Sequence, residues 1–126
     1  MAIIYWKVTL MPRNSEETIH GYHAHIYYSA DTKDIAAQVR EQLGEQFEVT
    51  LGRWHDRPVG PHPTSMYQVI FPVSDFGKIV PWLMINRQGL DILVHPETGD
   101  DLEDHQYNAL WLGEKLSLNL EMFKQA

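Results

Sequence analysis

The chain has 126 residues, the length of one ordinary domain, and contains no cysteine, which excludes disulfide frameworks, thiolate zinc sites, iron–sulfur clusters and cysteine nucleophiles. Ten basic against seventeen acidic residues leave a formal charge of −7, so a domain-wide grip on nucleic acid or an anionic membrane is not expected. Seven histidines, several closely spaced, make imidazole the conspicuous chemistry.

Residues 1–12, with Ile3, Ile4, Tyr5 and Trp6 at their centre, lack the basic-then-apolar order of a secretory signal. No apolar run approaches the ~18 residues of a bilayer span. A cytoplasmic single domain over residues 1–126 is expected, with its core at about 20–113 between an amino-terminal arm and a carboxy-terminal tail. The first predicted strand runs from Gly21 to Tyr28. Its even positions Tyr22, Ala24, Ile26 and Tyr28 are the more apolar face, and its odd positions put His23 and His25 on the other. Asp31 or Thr32 then caps a helix whose Ile35, Ala36, Val39 and Leu43 recur at helical spacing, with Gly44 near its end. A second strand, Glu48 to Trp54, turns Val49 and Leu51 to the apolar side.

The proline-rich segment His55 to Thr64 reads as a loop. A third strand, Met66 to Phe71, sets Tyr67, Val69 and Phe71 against Gln68. Ser74 caps a second helix carrying Phe76, Ile79, Val80, Leu83 and Met84, which Pro81 is expected to kink or split. A fourth strand, Asp91 to His95, offers Ile92 and Val94 to one face, Leu93 and His95 to the other. An acidic turn, a short helix ending near Leu112 and Gly113, and a tail complete the chain.

The order β-α-β-β-α-β is the α+β, ferredoxin-like pattern: a four-stranded antiparallel sheet with two helices on one face. The other face is expected to carry His23, His25, Gln68, Leu93, His95 and Trp54. Taking strand order 4-1-3-2 with strands 1 and 3 parallel, one end of the sheet would collect His20, His23, His25, His55, His62 and His95. Histidines 23 and 25, two apart on a strand, stand ~6.5–7 Å apart on one face, within reach of a single ion. His62 sits between Pro61 and Pro63, which restrict its backbone. His95 is followed by Pro96 and by Glu97, a candidate carboxylate ligand. Imidazole with carboxylate and open positions suits non-haem Fe(II), and the same donors suit a hydrolytic zinc. Arg53 is placed to clamp a substrate carboxylate and Trp54 to stack on an aromatic ring, with Gln68 as a further contact. His105, in the acidic run Asp101 to Asp104, reads as a solvated first turn set apart from the rest.

The motifs Tyr22-His23-Ala24-His25-Ile26-Tyr27-Tyr28, Gly60-Pro61-His62-Pro63, His95-Pro96-Glu97-Thr98-Gly99-Asp100-Asp101-Leu102, Asp104-His105 and Ala109-Leu110-Trp111-Leu112-Gly113 resemble the DOPA 4,5-dioxygenase family over residues 22–113. The resemblance implies a small Fe(II)-dependent enzyme that opens catechol rings with O2 in the extradiol sense. It matches His23 and His25 to the family's paired histidines, His62 to its Gly-Pro-His-Pro histidine and His95 to its His-Pro histidine. The expected ligands come from His25, His62, His95 and Glu97, with His23 and His55 as acid–base groups. A zinc hydrolase and a non-catalytic dimeric binding module remain the competing classes. A homodimer covering Leu93 and the amino-terminal arm is the expected assembly.

Overall fold

The structure, a computed structural model, describes residues 18–124. The alternation around His23 and His25 forms β1 (Tyr22–Tyr27), and a 3-10 turn over Ala30–Thr32 leads into α1 (Lys33–Gln46). Then follow β2 (Thr50–Leu51), β3 (Met66–Phe71), α2 (Phe76–Asn86), β4 (Ile92–Pro96), α3 (Asp101–His105) and β5 (Leu110–Leu112). A last 3-10 turn covers Leu120–Phe123. Pro81 does not split α2; the hydrogen bond it forgoes is the one to the carbonyl of Gly77, a turn earlier. No helix among the described residues is long and apolar enough to cross a membrane.

The fold is α+β, but the sheet has five strands rather than four, in the order β2-β3-β1-β4-β5. The fifth comes from Leu110–Leu112, expected to close a short helix. Leu112 faces the main core and Trp111 the opposite side, a two-residue period that so short an apolar run does not reveal in advance. All neighbouring strands are antiparallel, including β1 and β3, which corrects the expected parallel pair. The crossover through α1 makes β2 run the same way as β1, and the chain then turns back to form β3 between them. The start of β1 therefore lies beside the ends of β3 and β4, with Tyr22 opposite both Phe71 and Pro96.

One face of the sheet carries Ala24, Ile26, Tyr67, Val69, Phe71, Ile92 and Val94 into a core with Ala36, Val39 and Leu43 of α1 and Ile79, Val80 and Leu83 of α2. The expected inward set is met on β1, β3 and β4. Trp54 departs from it and packs on this helix face, edge-on to Tyr28 and Tyr67. The register shows why. Leu51 pairs with Val69 and His55 with Met66, so three residues of one strand span two of its partner. That one-residue bulge at Gly52–Arg53 reverses the alternation beyond it.

The opposite face is not open. Leu93 is fully buried there with Tyr27 and Met66, under Trp111, Leu116 and Leu118. Gly113, at φ 83°, redirects the chain from β5 across this face, and a side chain at that position would run into Asp91 and Arg87. The backbone N–H of Asn119 then donates to the carbonyl of Pro61 at 2.8 Å, tying the carboxy-terminal strap to the loop that carries His62. Leu93 is thus covered by its own chain rather than offered to a second copy. The arm at Ile3 to Trp6 lies outside the described residues.

Candidate metal centre

Strand pairing sets His23 directly opposite His95, and His25 between Gln68 and Leu93, all on the strap-covered face. The loop after β2 reaches the same place by a different route. Gly60, at φ 56°, allows a tight turn in which the N–H of His62 donates to the carbonyl of Val59 at 3.0 Å, and the His62 ring lands 4.2 Å from that of His25. The last turn of α3 brings His105 over the group, 4.0 Å from the His95 ring, with Phe123 of the strap on its far side at 4.8 Å.

Five imidazoles therefore meet, in two groups whose ligand atoms lie within 4.8 Å of one another: His23, His25 and His95, and His25, His62 and His105. His105, expected to stand apart, belongs to the cluster. His20 lies exposed at the start of β1. His55, expected as an acid–base group, bridges Met66 near the other end of the sheet and makes no ring contact with the five. Arg53 and Arg57 are exposed around it, and Trp54 points to the helix face; Gln68 is the proposed substrate contact that stays beside His25. Glu97 belongs to neither histidine group. It faces Nδ1 of His23 at 3.1 Å and Nδ1 of His95 at 3.8 Å.

The hydrogen-bond network assigns the tautomers. Carbonyls only accept, so His95 donates Nδ1–H to Pro96 O at 3.0 Å and His105 donates Nδ1–H to Asp101 O at 2.8 Å. His23 donates Nδ1–H to the Glu97 carboxylate. Each of these rings keeps a bare Nε2, the arrangement by which outer oxygen acceptors orient imidazole ligands. The Tyr27 hydroxyl meets Nδ1 of His62 at 2.7 Å and fixes that ring too.

His25 stands at the centre, where the network does not close. Its Nε2 lies 3.0 Å from the bare Nε2 of His95, while its Nδ1 is buried with no partner. Either His25 spends its one proton on His95 and leaves a lone pair stranded, or a cation takes that proton's place. Two nitrogens bound to one ion at about 2.1 Å and roughly a right angle stand about 3.0 Å apart. The donor set thus fits a metal of imidazole preference, Fe(II) and Zn(II) included.

Burial favours the neutral, ligating form of His23, His25, His62 and His95. It pushes His62 down to about 4 and His95 down to about 3, with the neighbouring His105 ring adding to both shifts. His25 is held well below its ordinary range by burial and then by His62, His95, His105 and His23, and His23 is lowered chiefly by burial. Glu97 is raised, first by burial and then by Asp104 and Asp101. Asp104 is itself buried and anchors the turn between β4 and α3, accepting from Thr98 N at 2.9 Å and Thr98 Oγ1 at 2.7 Å. A cavity of about 340 Å3 opens beside His105, walled by Trp111, Leu116, Leu118 and Leu120.

Known proteins share this arrangement of chain. A candidate dioxygenase from Nostoc punctiforme, solved by crystallography, superposes with a TM-score of 0.88 at 57% identity, over 90% of this chain and 98% of that one. A DOPA 4,5-dioxygenase of Amanita muscaria is 34% identical over 114 residues, and a 21.2 kDa protein of Botryotinia fuckeliana, named as uncharacterized, is 36% identical over 117. Each of those two alignments takes in 83% of this chain, which spans 50% of the Amanita protein and 64% of the Botryotinia protein. The Dopa 4,5-dioxygenase family matches from Tyr22 at the head of β1 to Met122 in the strap, taking in all five converging histidines, and the chain belongs to that family.

Proposed function

We propose that the protein is a non-haem Fe(II) dioxygenase that opens the ring of a catechol, L-DOPA or a related 4-substituted catechol, beside its two hydroxyls. The observation that carries this reading is the unclosed hydrogen-bond network at His25, in a nest of oriented imidazoles. His25 with His62 and His105, or His25 with His23 and His95, would supply the nitrogens to hold iron, and His25 is common to both choices. Glu97 then acts through His23 rather than as a ligand. Bound ferrous iron would supply the means of bringing catechol and O2 together and passing electron density between them.

The protein's own part is binding, orientation and proton traffic. His23 is the most accessible of the three histidines at the β1–β4 pairing, and its bare Nε2 is suited to accept a catechol proton. The Glu97 carboxylate, hydrogen-bonded to Nδ1, stabilises the imidazolium that results and holds the proton ready for return. Tyr27, whose hydroxyl burial keeps protonated, holds His62 without competing for that proton. The strap and Phe123 cover the rings and limit water.

The test is anaerobic loading with Fe(II), followed by O2 and a 4-substituted catechol, with the yellow ring-opened product as readout. Iron-dependent turnover lost in His25→Ala and His62→Ala is the expected result. Tight zinc binding with ester or amide hydrolysis, and no consumption of O2, would overturn the reading in favour of a hydrolase.

A further inference from the structure

We propose that Lys115 selects substrates whose ring bears an anionic arm, a carboxylate in the first place; the inference rests on the dioxygenase reading of the histidine cluster. The cavity beside His105 is at the lower end of the ~300–1,000 Å3 usual for small-molecule sites, with room for a single ring and a short substituent. One wall is the indole of Trp111, held nearly parallel to the Tyr27 ring at 6.0 Å, and Tyr27 in turn holds His62. Leu116, Leu118 and Leu120 continue the apolar lining.

Lys115 is the cation in this lining, which includes no carboxylate. The lysine ion pairs among the described residues join Lys33 to Asp56 and Lys124 to Glu121, and none involves Lys115. Lys115 is exposed and makes no ion pair, so its ammonium is free to meet a ligand in the aromatic-lined cavity beside it. The net charge of −7 repels anionic ligands from the molecule as a whole, so a local cation decides whether one is admitted. An apolar slot for the ring, His105 at one side and an unpaired ammonium in the wall fit a catechol with a carboxylate on its side arm. Arg53, the cation expected to clamp a substrate carboxylate, lines a different surface beside His55, together with Arg57.

Kinetics of the iron-loaded full chain test this with hydrocaffeate, a catechol with a propionate arm, and methylcatechol, its neutral counterpart. Lys115→Gln is expected to raise KM for hydrocaffeate about tenfold or more, with kcat within about twofold, leaving methylcatechol turnover unaffected and Lys115→Arg restoring the preference. Equal changes for both substrates, or for neither, overturn the proposal. Binding of phenylpropionate, which has no diol, followed by tryptophan fluorescence separates the two readings. Lys115-dependent binding without turnover of any catechol keeps the anion subsite and removes the dioxygenase reading. Catechol turnover with phenylpropionate binding indifferent to Lys115 removes the subsite and keeps the dioxygenase.

Discussion

The two faces of the sheet are made by the same alternating strands and are stabilised in different ways. On the helix face Ile26, Val69, Ile92 and their neighbours need only exclude water, and α1 and α2 supply the area. On the strap face the buried positions include His25, His62 and His95, whose burial is favourable only if each nitrogen finds a partner. Oxygen acceptors satisfy the outer nitrogens, and on this face the unsatisfied atom is at the centre. A fold can thus hold a site by completing one face with packing and leaving the other one ligand short.

The contrast is broken most severely by His25→Ala. Catechol turnover of the iron-loaded protein is expected to fall by at least about a thousandfold, the scale on which groups acting as a unit fail. The metal-free variant should melt close to the wild type, because the lost ring left a lone pair stranded; a large drop in melting temperature would mean that the ring is structural. Leu83→Ala does the reverse. It empties a fully buried position on the helix face and is expected to cost about 2–5 kcal/mol in urea unfolding while turnover per folded molecule holds.

Asp104→Ala falls between the two faces. Its carboxylate ties Thr98 to the turn that carries His105, so about 1–3 kcal/mol of stability should go, together with roughly tenfold in metal affinity measured by competition with a chelator. The smallest effect is graded. In metal-free protein the folded imidazoles of His62 and His95 stay neutral down to about 4 and about 3, while the unfolded chain takes up their protons near the ordinary value of about 6.5. The unfolded state therefore binds more protons below that value, and stability declines as pH falls from about 6.5 toward 4, by at most about 1.4 kcal/mol per pH unit per ring. Above pH 7 both states are neutral and the curve should be flat with respect to these rings. His95→Asn is expected to reduce the slope, and an unchanged slope would place the titrating groups elsewhere.

Much of the helix face was legible because period-two alternation on β1, β3 and β4 and helical spacing on α1 and α2 all point to the same core. His23, His25, His62 and His95 were legible as residues, and the first two and His95 as sharing a face. Their convergence does not come from the expected parallel β1–β3 pair. With β1 and β3 antiparallel, no end of the sheet collects His55 and His62 with the others; His62 arrives because Gly60 turns its loop inward. His105 was hidden by its acidic neighbours, which read as a solvated turn. The signal that could have found it is its place ten residues after His95, on the far side of a Thr98-Gly99-Asp100 turn that Asp104 closes. Lys115 carries no motif, and only the strap's course gives it a cavity to line.

The bulge at Gly52–Arg53 makes chain length, as well as residue type, a variable at this edge of the sheet. Because two residues there occupy the place of one opposite Gln68, a chain shortened by one of them would keep Leu51, Trp54 and His55 against their present partners. Deletion of Arg53 should therefore leave the Trp54 indole packed and the domain folded, whereas removing any single residue within β1 or β4 would exchange the histidines with the core. Relatives differing by one residue at this point are expected to share the same two faces.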